Sequence, residues 1–375
     1  MIIAVNARML VKNKMEGIGY FTYESMIRIT QRHPEHEFKF IFDRPYDSSF
    51  LFSDNITPLV VSPPARHPLL WYLWYEQSLP GVFKKIKADL FISTDGYLSL
   101  RSRQKTLAVI HDINFEHYPK DLPFFNRIYY RHYFPLYAKE AQRIATVSEY
   151  SRTDISKTYH VPESKIDVVY NGAGENFAPV SANEAESIRR KFSNGKPFFL
   201  FIGALHQRKN IANLLRAFDL FRSQVTEDYH LLLAGSKRWW TEEMENVLMN
   251  MNARNAVIFT GRLSDEDLQK VTGAAFALTY VSNFEGFGIP IIEAFRCDVP
   301  VITSNITSMP EIAGDAAILV DPFSEQSIAE GMIKMYASKE LRDSLIEKGR
   351  IRREAFSWDK TAEALWSSVE KTISC

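Results

Sequence analysis

The sequence predicts an α/β protein made of two doubly wound, Rossmann-like parallel-sheet domains facing a central cleft. Three observations carry this prediction. Short β-rich runs alternate with longer helical patterns, and repeated strand, helix, strand order builds parallel sheets. The alternation occurs twice, broken by a polar, turn-rich patch, GENFAPVSANEAE, just after Asn171-Gly172. In the second series the runs are apolar throughout, and three end in Gly, as suits strands buried on both faces that turn sharply at their carboxyl ends.

In the first half the predicted strands are IIAVN (2–6), FKFIF (38–42), DLFIS (89–93), TLAVI (106–110), RIATV (143–147) and IDVVY (166–170). The second half gives FFLFIG (198–203), HLLLAG (230–235), AVIFTG (256–261), AFALTY (275–280), VPVITS (299–304) and AAILVD (316–321). Helical spacing closes the chain over 325–336, 340–356 and 358–373. The expected domains are 1–175, 176–355 and a C-terminal segment, 356–375, that packs back on the first. Ligands of such sheets bind beyond the carboxyl ends of the strands, so a site is expected in the cleft between two such domains.

The composition sets limits on function. The 375 residues, 46% hydrophobic and 24% charged, exclude intrinsic disorder. Forty-five basic residues balance forty-five acidic ones, so no global field gathers nucleic acid. Two cysteines, Cys297 and Cys375, are too few for a disulfide framework or a cysteine zinc site. The first residues, MIIAVNARML, read as a buried strand rather than a signal peptide, and no apolar run approaches the roughly 20 residues that span a bilayer. A cytoplasmic protein is expected.

The strongest local signal is EGFGIPIIEA, with Glu285 and Glu293 eight residues apart. Gly286 and Gly288 suit a loop whose amides approach an anion, and Pro290 suits the first turn of a helix. That helix would aim its free N–H groups at a phosphate. Glu293, one turn inside, could accept two hydrogen bonds from a ribose diol, while Glu285 would face the group beyond the phosphates. By themselves such glutamates equally describe a solvated loop and a capped helix.

The whole segment Ser282–Pro322 resembles the donor-binding region of the retaining GT-B glycosyltransferases of family 4, which transfer sugars from nucleotide sugars. EGIGYF (16–21), HD (111–112), TVSEYSR (146–152), VVYNG (168–172), FIGALHQRKN (201–210) and FSWDKTAE (356–363) follow in the family's order. The resemblance covers essentially the full chain. It implies a GT-B fold with the acceptor on the first domain, the donor on the second, and metal-independent transfer with retention of configuration.

The resemblance also assigns roles. Glu293 would hold the ribose hydroxyls and Glu285 those of the transferred sugar, with the amides around Phe287 and Gly288 close to that sugar. Arg208 and Lys209 would neutralise the diphosphate, since a transferase without a metal needs cations or dipoles for its leaving group. The family often has Gly-Arg after the strand at 198–203; here Gly203-Ala204 stands there, so one arginine is missing and the load falls on Arg208 and Lys209. Without this context RKN is a solvated helix start. Gly17 and Gly19 would form a loop over the donor diphosphate and acceptor, and His111 would contact the transferred sugar with Asp112 as its orienting partner. A lone histidine at a strand end is otherwise a satisfied core residue.

Other patterns carry less. Asp265-Glu266-Asp267 matches an acidic metal-binding triplet in form, but SDEDL reads better as a helix start capped by Ser264. No metal site and no cofactor are expected. His33 and His36 read as exposed. The stretch 123–141 places Phe125, Ile128, Tyr129, Tyr133, Leu136 and Tyr137 on one helical face and Phe124, Arg127, Tyr130, Arg131 and Phe134 on the other. The second face, with Arg127 and Arg131, suits lipid headgroups, and LLWYLWY (69–75) beside Lys84, Lys85 and Lys87 adds similar material. Ordinary helix packing gives the same spacing.

FAPV and MPEIAGDAA resemble members that use GDP-mannose in bacterial surface polysaccharide assembly. The expected reaction is therefore hexose transfer, with mannose from GDP-mannose, onto a polyprenyl-diphosphate-linked saccharide at the inner face of the plasma membrane, as in lipopolysaccharide O-antigen synthesis. The alternatives are a UDP-sugar donor in the same family, a GT-B UDP-N-acetylhexosamine epimerase, and a two-domain small-ligand receptor.

Overall fold

Two wholly parallel sheets, one of seven strands and one of six, organise the chain. The computed structural model describes residues 1–12 and 14–375, which fall into two units: Met1–Asn171 with Trp358–Cys375, and Gly172–Ser357. The units part between Asn171 and Gly172, a few residues before the 175/176 boundary expected from the sequence.

The first unit runs β1 (Ile2–Asn6), α1 (Gly17–Arg32), β2 (Glu37–Phe42), β3 (Ile56–Val60), α2 (Pro68–Leu73), α3 (Leu79–Ile86), β4 (Leu90–Ser93), β5 (Lys105–Val109), α4 (Asn114–His117), α5 (Phe124–Glu140), β6 (Arg143–Thr146), α6 (Glu149–Tyr159) and β7 (Ile166–Val168). The second runs α7 (Ala182–Ser193), β8 (Phe198–Ile202), α8 (Ile211–Gln224), β9 (His230–Ala234), α9 (Glu242–Asn250), β10 (Val257–Gly261), α10 (Asp265–Ala274), β11 (Ala277–Tyr280), α11 (Ile289–Arg296), β12 (Val301–Ser304), α12 (Met309–Ala313), β13 (Ala317–Val320), α13 (Glu325–Ala337) and α14 (Lys339–Arg353). Helix α15 (Trp358–Ser374) belongs to the first unit.

Strand order is β3-β2-β1-β4-β5-β6-β7 in the first sheet and β10-β9-β8-β11-β12-β13 in the second. Each order reverses once, at β1/β4 and at β8/β11, and the crevice beyond the carboxyl ends there is where a ligand is expected. The first unit shows why its strands are apolar along their length. Ala4, Phe91, Ala108 and Ile144 pack on one face with Trp71, Trp74, Leu79 and Tyr137. Their neighbours Ile3, Val5, Leu90, Ile92, Leu107 and Val109 point the other way, against Phe21, Met26 and Ile29 of α1 and Trp358, Leu365 and Val369 of α15.

Helix α15 is also tied to α1 by Arg32, which pairs with Asp359, and by the His33 ring stacked 3.6 Å from Trp366. His36 stacks on the same indole at 5.3 Å. These two histidines are therefore partly covered docking contacts rather than the exposed side chains the sequence suggested.

Between α2 and α3 the chain makes a π-helical segment, Trp74–Ser78. Its wider turn buries three consecutive side chains, Trp74, Tyr75 and Glu76. Within the LLWYLWY stretch Trp71, Trp74 and Tyr75 are consequently core, while Leu69 stands 63% exposed. Among the described residues no helix is long and apolar enough to cross a membrane.

Candidate active site

In the second unit the site grows from the ends of β8 and β11. Gly203 follows β8 with φ +140°, its N–H donating to the Ala234 carbonyl at 2.9 Å. A Cβ on Gly235, after β9, would lie 1.7 Å from the Gly203 oxygen, so the two strand ends approach as only glycine allows. The chain then makes a 3-10 turn over Gln207–Lys209, capped by His206 Nδ1, which accepts from the Arg208 N–H at 3.1 Å. Asn210 closes the turn at φ +62° and anchors it by donating to the carbonyls of Val281 at 3.0 Å and Pro322 at 2.7 Å.

This anchoring puts Arg208 and Lys209 over the end of β11. Arg208 Nη1 donates to the Phe284 carbonyl at 2.8 Å and lies 3.3 Å from Glu285 Oε2. Lys209 Nζ donates to Glu285 Oε1 and, at 2.7 Å, to the Tyr280 hydroxyl. Burial by itself would push the Glu285 carboxyl up, but the Lys209 and Arg208 charges outweigh it and hold the group at about 2. Burial and the Glu285 charge push the Tyr280 hydroxyl well up, so it stays neutral. The structure thus brings three of the sequence-derived residues, Arg208, Lys209 and Glu285, into one buried cluster. Tyr280 joins them, and the only sequence signal for it was its place at a strand end.

The loop that carries Glu285 is held from below. Ser308 Oγ lies 2.9 Å from the carbonyls of both Glu285 and Phe287. The Phe287 ring is buried edge-on against Phe356, 5.7 Å between centroids. Gly288 precedes α11 at φ +110°, a left-handed cap, and Pro290 follows in the first turn. Glu293 sits one turn into α11, where burial and the neighbouring Asp265 raise its carboxyl to about 8.

The acidic triplet takes its place in α10. Ser264 Oγ accepts from the Asp267 N–H at 3.1 Å as the helix cap, Asp267 pairs with Lys191 and Glu266 with Lys270. Among the described residues no group of three or more histidine, cysteine, aspartate or glutamate side chains could hold a metal ion.

The first unit corrects three expectations. Gly17 and Gly19 do not form a loop: they open α1, and Gly19 is buried, where a Cβ would meet the Met9 carbonyl at 2.8 Å. The segment has intrahelical bonds available, so the chain coils where the sequence suggested a phosphate-hugging loop. His111 is not oriented by Asp112. Its Nε2 pairs with the Thr94 carbonyl at 2.9 Å, while Asp112 Oδ1 accepts from the backbone N–H and side-chain amide of Asn114.

Helix α5 also divides differently. Tyr130 and Phe134, assigned to the outer face, turn inward onto Phe115, with ring centroids at 4.8 and 4.9 Å. Phe125 and Ile128, assigned to the inner face, are 71% and 51% exposed. What faces out is an N-terminal patch of Phe124, Phe125 and Ile128 with Arg127, whose guanidinium lies 5.4 Å from the Phe124 ring centre, and Arg131, which is 3.5 Å from Glu116.

Comparison with known proteins agrees with this architecture. Residues 183–352 match the family of glycosyl transferases group 1 and residues 24–174 match glycosyltransferase family 4. The chain is 26% identical over 366 residues to O-antigen chain mannosyltransferase B of Escherichia coli, covering 93% of this chain and 94% of that protein. It is 30% identical over 261 residues to the O-antigen chain mannosyltransferase RfbU of Salmonella typhimurium, covering 69% of each.

Among solved structures, sucrose-phosphate synthase from Thermosynechococcus elongatus superposes with a TM-score of 0.78 at 16% identity, over 100% of this chain and 99% of that one. HepE of Anabaena, solved with UDP-glucose, gives 0.74 at 16% identity over 99% of both. The sheets have the topology of the GT-B fold, and the chain belongs to the family 4 glycosyltransferases.

Proposed function

We propose that this glycosyltransferase moves mannose from GDP-mannose, with retention of configuration, onto a saccharide carried by polyprenyl diphosphate in O-antigen-type polysaccharide assembly. The relatives named as O-antigen mannosyltransferases support the sugar and the pathway class. The observation that carries the reading is the Arg208, Lys209, Glu285 cluster at the β8/β11 switch point. Two cations beside a buried carboxylate can serve both halves of a nucleotide sugar. Arg208 and Lys209 take the charge that develops on the leaving diphosphate, and ionised Glu285 accepts hydrogen bonds from hydroxyls of the transferred hexose. Glu293 accepts from the ribose diol.

No metal or other cofactor enters this scheme, because the two basic side chains supply the countercharge. Nucleic acid has no role in it. The acceptor's lipid carrier places the enzyme at the inner face of the plasma membrane, where the exposed phenylalanines and arginines of α5 would meet anionic lipid. A thermal-shift panel of GDP, UDP, ADP and dTDP tests the donor: at 100 times its dissociation constant the right nucleotide adds about 2.7 kcal/mol. Stabilisation by UDP and not GDP would select a UDP-sugar donor, as in HepE, in place of GDP-mannose.

A further inference from the structure

Strand β11 pairs with β12 in parallel register as far as Tyr280 opposite Thr303, and the chain beyond carries Glu285 out of the sheet. Where backbone pairing stops, side-chain hydroxyls take over. Thr303 Oγ1 donates to the Tyr280 carbonyl at 2.7 Å and Ser304 Oγ to the Ser282 carbonyl at 2.6 Å. Ser308 Oγ then reaches the carbonyls of Glu285 and Phe287, both at 2.9 Å. All three residues are wholly buried. The carbonyls in between are held from the β8 side, Val281 by Asn210 and Phe284 by Arg208. Every member of this ladder lies in the second unit.

The segment after β12 gives up local stability to place Ser308. Thr307 takes φ +58°, a left-handed conformation that is unfavourable for a β-branched residue. Ser308 stands at the N-cap of α12, where a serine hydroxyl ordinarily accepts from a helix N–H, yet it makes no such bond and turns to the loop instead. These bonds also fix the faces of the loop. In a trans peptide the C=O of one residue and the N–H of the next point opposite ways. With the carbonyls of Glu285 and Phe287 turned toward Ser308, the N–H groups of Gly286 and Gly288 are sent to the other side. One hydroxyl carries one proton, so Ser308 shares it between the two carbonyls and its removal takes a donor from both.

We propose that Ser304 and Ser308 are positioning residues for the transfer step: their hydroxyls hold the loop in one conformation, so that the Glu285 carboxylate meets the hexose already aligned. The proposal rests on the reading of Glu285 as hexose-facing. Groups fixed before the substrate arrives need no reorganisation as charge develops. A loop whose peptides are free to turn loses alignment at the sugar, while the nucleotide is still held by Arg208 and Lys209.

The test compares Ser308→Ala with Ser193→Ala in the full-length protein. Ser193, the last residue of α7, is a matched control: it is equally buried, and its Oγ lies 3.0 and 2.5 Å from the carbonyls of Arg189 and Lys196. Both substitutions should lower the thermal midpoint by similar amounts, since each takes a donor from two carbonyls. Ser308→Ala should also lower kcat about 10- to 100-fold with the GDP dissociation constant within about threefold. Ser193→Ala should leave kcat within about twofold. A folded Ser308→Ala protein with unchanged kcat, or a loss that Ser193→Ala matches, overturns the proposal. In a Glu285→Gln background the further loss from Ser308→Ala should shrink to about threefold or less, because groups that act as one unit do not add; the full loss there also overturns it. Should Ser308→Ala not fold, Ser304→Ala decides by the same readouts, with an expected loss of about 3- to 10-fold, and an unchanged kcat overturns the proposal. Full activity in Glu285→Gln would instead remove the hexose-facing reading, and the positioning role with it.

Discussion

Lys209 donates to the carboxylate of Glu285, and this contact joins the group proposed for the diphosphate to the group proposed for the sugar. Until a donor arrives, each neutralises the other in a site from which water is largely excluded. Nucleotide binding must therefore draw Lys209 and Arg208 part of the way from Glu285. Glu285→Gln should consequently tighten nucleoside diphosphate binding, because the two cations are released from their internal partner, and should lower kcat by about 100-fold or more because the sugar contact is lost. Calorimetry with GDP alongside steady-state kinetics checks both directions. A variant with weaker GDP binding and unchanged kcat would contradict the assignment.

In the proposed ribose contact, the raised carboxyl of Glu293 would make donor binding proton-linked. A ribose diol donates its hydrogen bonds best to the ionised form, so binding favours loss of the proton. Since the folded-state value is about 8, the group is largely protonated at pH 7 without ligand. Affinity should rise with pH between about 6 and 8, with proton release on binding. Stability runs the other way: the folded state keeps a proton that the unfolded chain has lost above its ordinary value, so this group's contribution declines as pH rises from about 4.5 to about 8. Calorimetry in buffers of different ionisation enthalpy measures the released proton, and the signal should vanish in Glu293→Gln.

Gly235 and Gly81 make an opposed pair. A methyl on Gly235 collides with the Gly203 carbonyl, which is backbone and cannot swing aside. Gly235→Ala should cost about 3 kcal/mol or more and weaken donor binding with it. Gly81, exposed in α3 with nothing within 4 Å of a built Cβ, should gain about 0.5–1 kcal/mol on replacement by alanine. Urea denaturation of the two variants gives both signs in one experiment.

Transfer should persist in EDTA, since Arg208 and Lys209 are proposed to face the diphosphate and the carboxylates of the acidic triplet already have uses. Activity that falls with EDTA and returns with manganese would give the divalent ion the role assigned to these two side chains.

The patch on α5 should carry the enzyme to anionic liposomes, with binding that weakens as salt rises. Arg127→Glu together with Arg131→Glu should lower that binding, each lost basic residue being worth about 1 kcal/mol, and leave GDP binding unchanged. Phe125→Asp should do the same by removing apolar contact, Phe125 being 71% exposed. Sedimentation with vesicles of phosphatidylglycerol reads both. If all three substitutions leave liposome binding as it was, the lipid surface is excluded as the partner of this face.

Much of the fold could be read from the chain because strands buried on both faces announce themselves as unbroken apolar runs. Strand β3 escaped because ITPLV holds a proline, which argues against a strand in a sheet interior; here Pro58 lies on the sheet's edge, where its missing N–H costs little. Helical periodicity separated two faces of α5 but could not say which neighbours each would meet. Phe115 and Tyr97 draw Phe134 inward, and neither is near it in sequence. The same limit applies to the sites. Glu285, Arg208 and Lys209 each stood out as residue types, yet their mutual pairing joins segments more than 70 positions apart. His111 was visible as a lone histidine, but its partner is a backbone carbonyl, and any residue could supply one.

The placement of α15 bears on how the protein is made. The face of the first sheet that α15 covers is synthesised early, but its cover, including Trp358, Leu365 and Val369, comes only after all of Gly172–Ser357. The second unit is continuous in sequence and can close as soon as it leaves the ribosome. The first cannot, and its apolar groove along α1, β5 and β6 stays open until then. A nascent chain stalled within the second unit therefore lacks Trp358, Leu365 and Val369 and leaves the apolar face they cover open to solvent.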